Sequence, residues 1–229
     1  KDTFPTASTP TTLDRSGNGN TGTLTKGPRP TLGKIGQALE VDGVNDYTQI
    51  GTNLFETENT GTIVAWIKFD DLDQRSTIFS SSVTAGNDFL DFFVYESGSV
   101  GGALAIQHND GISENHARRS TTVMSAGQWY HVAVTSDGSI WTLYINGMSE
   151  SLVSVAGSNN GLWFNDMTGS HANRIANRQR SADNNFFDGL IDDVRIYNRA
   201  LSATEIKRLY TLKTPLLQGV DQTGMVGWW

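Results

Sequence analysis

The sequence predicts an all-β sandwich of two antiparallel sheets with one short C-terminal helix. Two observations carry this. Apolar and β-branched residues alternate with polar ones in short runs separated by Gly, Asn, Asp or Ser, the signature of half-buried strands joined by tight turns. Helical periodicity occurs persuasively only once, near the C-terminus. The composition agrees: 24 Gly in 229 residues and only 18% charged side chains suit a chain that turns often.

Residues 1–37 are rich in Thr, Gly, Pro and Asn, and Leu13-Asp-Arg-Ser-Gly-Asn-Gly-Asn packs turn formers densely, so an extended segment crossed by tight turns is expected. From Ala38 to Ile50 the alternation has period two on either side of a turn at 42–46. Thr60 to Phe69 is the clearest single strand. Further strands are expected at Ser76–Ser81, Phe89–Tyr95, Ala103–His108, Trp129–Ser136, Trp141–Ile145 and Ser151–Val155. Asp137-Gly138 and Asn146-Gly147 each favour positive φ and punctuate that last group as tight turns.

Ser202-Ala-Thr-Glu-Ile-Lys-Arg-Leu-Tyr predicts the helix. Ser202 can cap it and Glu205 completes a capping box, while Ile206, Leu209 and Tyr210 share one face. No break in composition precedes Tyr210, so residues 1–210 are expected to form one domain, followed over 211–229 by a linker-like run and a final strand.

Seventeen Lys and Arg against 24 Asp and Glu give a net charge of -7, which repels phosphate backbones and makes nucleic acid a poor partner. No apolar run is long enough to span a bilayer, so no membrane span is expected and any export signal lies outside these residues. The absence of Cys removes disulfides, thiolate nucleophiles and sulfur-ligated zinc. Any metal would be held by oxygen or by the four His, and acidic loops favour Ca²⁺.

Asp188-Gly-Leu-Ile-Asp-Asp-Val-Arg-Ile-Tyr-Asn-Arg-Ala-Leu-Ser-Ala-Thr-Glu-Ile resembles the closing signature of laminin-G-like modules, a strand followed by a short capped helix. Three more segments resemble the same family in the expected order: Leu13 to Gly22, Ala38 to Tyr47, and Trp129-Tyr-His-Val-Ala-Val-Thr with Tyr144-Ile-Asn-Gly-Met. The resemblance spans residues 11–210 and implies a concanavalin A-like jelly roll in a secreted or cell-surface protein, with binding loops at the rim. Members usually open on a strand with a Val-Gly-Tyr/Trp-Trp-like run, and here its likeness, Met225-Val-Gly-Trp-Trp, stands at the other end. Either it begins a next copy in a tandem array, or it fills the opening-strand position by folding back or by strand exchange with a neighbouring copy; the second arrangement predicts buried Trp228 and Trp229.

The family also implies a structural ion between the opening segment and the last strand, which on these residues would fall to Asp192 and the Gly43 carbonyl. The Asp14–Asn20 loop, with Asp14 and Asn18, offers further hard oxygens for Ca²⁺. The competing reading has Asp14 and Asp42 capping turns and Asp193 pairing with Arg195.

Glucanases of the same superfamily carry Glu-x-Asp-x-Glu on one strand, and no such triplet exists here. Asp88 and Asp91, three apart, point to opposite faces of a regular strand. His131 alternates with buried positions and reads as a core residue with a satisfied hydrogen bond, and His108, His116 and His171 lack a metal-binding spacing. No Gly-x-Ser-x-Gly elbow is present. A non-catalytic protein is expected.

Two long polar stretches, 107–120 and 170–187, concentrate amide, imidazole and guanidinium donors suited to a glycan. His116, Arg118, Arg119, Arg174, Asn177 and Arg178 are the candidate ligand-binding residues. Trp163, Phe164, Phe186 or Phe187 would be the aromatic platform, and with Arg180 the arginines suit carboxylated or sulfated sugars. The alternative is that the stretches are solvated loops and the aromatics complete the core. The expected function is a non-catalytic carbohydrate-binding or adhesion module of a secreted or cell-surface multidomain protein; the alternatives are a passive spacer or protein-adhesion repeat and a diverged glycan-active enzyme.

Overall fold

The fold is described from a computed structural model, which describes residues 10–83, 88–111, 115–179, 185–212 and 221–229. In chain order the strands begin with β1 (Thr11–Thr12), β2 (Gly22–Thr25), β3 (Arg29–Leu32), β4 (Gln37–Asp42), β5 (Tyr47–Thr52) and β6 (Gly61–Phe69). They continue with β7 (Ser76–Ser82), β8 (Asp88–Val94), β9 (Ala103–Asp110), β10 (Asn115–Val123), β11 (Tyr130–Ser136) and β12 (Trp141–Ile145). Then come β13 (Met148–Ser149), β14 (Leu152–Ala156), β15 (Ala172–Ile175), β16 (Asp188–Tyr197), helix α1 (Ala203–Thr211) and β17 (Met225–Trp228).

The strands form two antiparallel sheets, as predicted. The larger runs β1-β2-β5-β15-β7-β8-β9-β10-β14, and the smaller runs β13-β12-β11-β6-β16-β4-β3 with β17 also paired to β16. Alternating residues of the central strands fill the space between them: Ile63, Ala65, Ile67 and Phe69 of β6 with Val132 and Val134 of β11 meet Leu90, Phe92 and Val94 of β8 and Leu104 and Ile106 of β9. Each large side chain of this kind, fully buried, stabilises the fold by roughly 1.5–3 kcal/mol.

The smaller sheet is covered on its outer face as well. Val64, Ala133, Tyr144 and Tyr197 pack there against Ile206 and Leu209 of α1 and against Met225 and Trp228 of β17. This explains why β6 is apolar almost throughout rather than alternating. The helix starts as predicted: the Ser202 hydroxyl accepts from the Glu205 N–H, and the Glu205 carboxylate accepts from the Ser202 N–H at 2.8 Å. Arg199 donates to Glu205 at 2.7 Å, which holds that carboxyl down at about 2. The tight turn at Asn146-Gly147 has φ of 51° and 74°, the left-handed pair that joins β12 to β13.

Two strands lie where polar loops were expected. β10 has only Ala117 and its final Val123 as apolar residues, and β15 places Asn173 and Arg174 in buried positions, so neither shows an apolar row. Their identity comes from pairing: β10 is held between β9 and β14, and β15 between β5 and β7.

In the C-terminal segment, β17 pairs with β16 of this chain's own smaller sheet. β16 pairs along its length with β6. Its other edge takes β4 at residues 188–192 and β17 at residues 195–197. Asp193 sits at the junction with φ of 53°, in a register shift between Asp192 and Arg195. Trp228 is 8% exposed and Trp229 is half-buried. Residues 213–220 of the linker-like run lie outside the described residues.

Candidate functional site

Strand β8 positions the site. Leu90, Phe92 and Val94 point into the core, so Phe89, Asp91 and Phe93 point outward from the larger sheet. Asp88 stays at the rim, where it accepts from the Thr168 N–H at 2.6 Å and the Thr168 hydroxyl at 2.7 Å.

Asp91 is fully buried. It pairs with the Arg178 guanidinium at 3.2 Å and with Arg75 at 3.8 Å, and accepts from the Thr77 hydroxyl at 3.2 Å. Each guanidinium also lies over a neighbouring ring, Arg178 4.6 Å from the Phe89 centroid and Arg75 4.0 Å from that of Phe93. A buried charge costs too much to stand alone, and this pairing fixes both arginines in one geometry.

From this centre a polar network runs both ways. Arg75 donates to the Gln107 side-chain Oε1 at 3.1 Å, and the Gln107 Nε2 donates to the Asn115 Oδ1 at 2.9 Å. Tyr95 stands edge-on to Phe93 with centroids 5.0 Å apart, and burial raises its phenol pKa against the pull of Arg75 and Arg119. On the other side Arg174 donates to Gln49 at 3.0 Å and to Asn177 at 2.7 Å while lying 4.1 Å over the Tyr47 ring. Tyr47, Gln49, Arg75, Tyr95, Gln107 and Arg119 are half-buried and so reachable from solvent. Together they offer planar donors and ring faces whose orientations are already set.

Of the residues expected from the sequence, Arg119, Arg174, Asn177 and Arg178 do share this face. Arg119 pairs with Ala105, which pairs with the outward-facing Phe93. Arg174 pairs with Ser80, which pairs with Asp91.

His116 and Arg118 do not. Adjacent strand residues alternate, and Arg118 pairs with Ile106 of the core-facing row. Its guanidinium is spent on the carbonyls of Ala117, Ala156 and Gly157 at 2.7–3.0 Å. The His116 ring bonds Ser158 at the same edge. Trp163 is no platform: it is fully buried, edge-on to Phe164 at 5.1 Å, and Phe164, Phe186 and Phe187 are buried too. Arg180 lies outside the described residues.

The four candidate metal ligands point to different places and do not fit one ion. Both Asp14 oxygens already accept, from the Ser16, Asn20 and Trp228 N–H groups at 2.8–3.0 Å and from the Ser16 hydroxyl. Asn18 donates to the Met225 carbonyl at 3.0 Å. Asp192 accepts from the Ile35 N–H at 2.7 Å, and burial raises it to about 6. The Gly43 carbonyl accepts from the Gln74 amide, and Gly43 packs beside Asp188, whereas Asp192 pairs with Ala38 at the far end of β4. Among the described residues no three His, Cys, Asp or Glu side chains gather in a metal-binding arrangement. Asp42 caps its turn through the Val44 and Asn45 N–H groups, and Asp193 pairs with Arg195 at 2.8 Å.

His131 is buried, but with no hydrogen-bond partner for either ring nitrogen among the described residues. It lies edge-on to Trp66 at 5.2 Å and tilted against Tyr210 at 5.9 Å, which is why it folds as an aromatic. His171 and Asp88 approach to 3.5 Å at the rim.

Arg75 and Tyr95 were missed by sequence reasoning, and Gln107, which opens the polar stretch 107–120, was not singled out within it. The signal was present: Phe89, Asp91, Phe93 and Tyr95 are spaced by two and share a face.

A family profile described as the concanavalin A-like lectin/glucanases superfamily (Laminin_G_3) matches residues 42–207. Among solved structures, the fold is similar to domain 4 of AbnA, an extracellular arabinanase from Geobacillus stearothermophilus, in complex with arabinotriose. The two are 21% identical, with a TM-score of 0.63, over 88% of this chain and 87% of that one. It is also similar to the CBM40 of the Ruminococcus gnavus IT-sialidase bound to α2,3-sialyllactose, at 15% identity and TM-score 0.63 over 76% of this chain and 96% of that one. A third likeness is the binding domain of Paraclostridial Mosquitocidal Protein 1, at 17% identity and TM-score 0.60 over 86% of this chain and 48% of that one. No curated protein sequence matches significantly. These likenesses are of fold.

Proposed function

The chain belongs to the concanavalin A-like lectin/glucanase superfamily, and from that premise we propose that it is a non-catalytic carbohydrate-binding module of a secreted or cell-surface protein. The outer face of the larger sheet is its glycan site. The observation that carries this is the Asp91 network, in which a fully buried carboxylate fixes Arg178 and Arg75 over Phe89 and Phe93. Phe89 and Phe93 are themselves buried, so the surface offered to a sugar is the half-buried Arg75, Tyr95, Gln107 and Arg119, whose orientations the network presets, and little side-chain entropy remains to be lost on binding. Glycoside hydrolysis asks for two carboxyl groups flanking one bond, one of them able to hold a proton. Asp91 is committed to two guanidiniums and a hydroxyl, which favours binding over hydrolysis. Two of the similar structures carry bound oligosaccharides, arabinotriose and sialyllactose, which supports the same reading. Among the described residues no helix is long and apolar enough to cross a membrane.

The test is a glycan array followed by calorimetric titration of any hit, with arabinotriose and sialyllactose included as probes. Saturable binding is expected, at least ten-fold weaker in Arg75→Ala and Arg119→Ala, with no product on prolonged incubation. Binding unaffected by both substitutions would move the site elsewhere. Silence across the array would leave a passive spacer, and product would make the protein a glycan-active enzyme.

A further inference from the structure

The turn-rich loop at 13–20, read from sequence as a source of metal ligands, instead forms one wall of a slot. The strand Met225-Val-Gly-Trp-Trp occupies it, bonded along both edges. On one edge β16 supplies the ladder: Val194 and Trp229 exchange both backbone hydrogen bonds at 2.8 Å, and Asn198 donates to the Gly224 carbonyl at 2.8 Å. On the other edge Arg15 N–H donates to the Trp228 carbonyl at 2.8 Å, and the Trp228 N–H donates to Asp14 at 3.0 Å. The Asn18 and Asn20 amides donate to the Met225 and Val226 carbonyls at 3.0 and 2.7 Å.

Both indoles are read by specific partners. Trp228 donates through Nε1 to Asp193 at 2.7 Å, with the Arg195 guanidinium 4.7 Å over its ring. Trp229 donates through Nε1 to the Asn20 carbonyl at 2.7 Å. Just before them, Gly227 leaves room for the Trp229 ring as it is placed: a Cβ there would lie 2.1 Å from that ring, which would have to move. The slot therefore recognises a sequence as well as a backbone.

None of these interactions depends on which chain the strand comes from. The hydrogen bonds above run between residues 224–229 and residues 14–20 or 193–198. We propose that the slot is an acceptor for the Met225–Trp229 strand of a second copy of this chain, so that two copies can exchange strands and preserve all of these bonds in trans. Addition of a strand between two bonding edges gives affinity through the backbone and specificity through alternate side chains, and exchange of an identical element costs little beyond association. The inference is independent of the glycan reading.

Two copies with different affinity tags, mixed, taken through partial denaturation and returned at several protein concentrations, test it. A mixed dimer that grows with concentration is expected on capture of either tag. An excess of a synthetic peptide of residues 221–229 should suppress it at least ten-fold and be retained in the slot, whereas the same peptide with Gly227→Val should do neither. Gly227→Val in both copies should reduce the mixed dimer to a similar degree, with melting curves reporting that the copies are folded. No mixed species at any concentration would overturn the proposal. So would a mixed dimer indifferent to the peptide, or one that both peptides suppress equally.

Discussion

His131 makes the stability of the protein depend on pH in a calculable way. Burial, with a smaller push from the Arg195 charge, drives its imidazole from 6.5 down to about 3. The unfolded chain therefore binds a proton that the folded chain refuses between those values. The resulting stabilisation is fully present above pH 6.5 and is lost as pH falls toward 3. At about 1.4 kcal/mol per pH unit once well below 6.5, the loss between pH 7 and pH 5 is about 2 kcal/mol. Asp192 works in the opposite direction: raised from 3.8 to about 6, chiefly by burial, it protonates in the folded state first and returns about 1 kcal/mol over the same interval. His108, lowered by burial, adds to the loss. A single pH series thus shows only the net effect, and the comparison that isolates His131 is with His131→Phe, which keeps an aromatic between Trp66 and Tyr210. Urea unfolding of both proteins at pH 5, 6 and 7 should show the variant losing about 2 kcal/mol less than the parent between pH 7 and 5. Parallel pH dependences would mean that His131 is charged or hydrated in the folded protein, and the reasoning fails.

Gly61→Ala should lower stability by about 1–3 kcal/mol in thermal melts, since the added methyl would stand 2.3 Å from the Trp163 indole nitrogen and 2.8 Å from the Tyr197 carbonyl. Arg178→Met removes the 3.2 Å partner of the fully buried Asp91 and should cost about 3–5 kcal/mol by urea unfolding, which a glycan bound elsewhere would not restore. Asp14→Ala deletes the acceptor of three backbone N–H groups and should cost about 2 kcal/mol, with a shift of tryptophan emission as Trp228 loosens. Ser202→Ala removes the helix cap and should cost about 1 kcal/mol in the same unfolding assay.

What the sequence disclosed was local. The capping box at Ser202 and Glu205, the left-handed pair at Asn146-Gly147 and the apolar run of β6 depend on neighbours in the chain, and all stand where expected. Strands β10 and β15 were hidden because their identity lies in their partners rather than in their own alternation. The same limit applied to the site. Arg119, Arg174, Asn177 and Arg178 were legible as donors in polar stretches, but Arg118 looked equivalent to Arg119 until the register of β10 sent the two to opposite faces. Asp14 shows the point most sharply: its bond to Ser16 is written in adjacent residues, while its bond to Trp228 joins positions 214 apart.

The bulge at Asp193 has a dynamic consequence. Because the edge of β16 that faces away from β6 is shared by two short strands laid end to end, with no ladder on that side running past the junction, that side of the strand is mosaic rather than continuous. Opening of one tile leaves the other's bonds intact. Amide exchange along β16 should therefore divide at residues 193–194, the half backed by β17 opening as its own cooperative unit while the half backed by β4 opens with the sandwich as a whole.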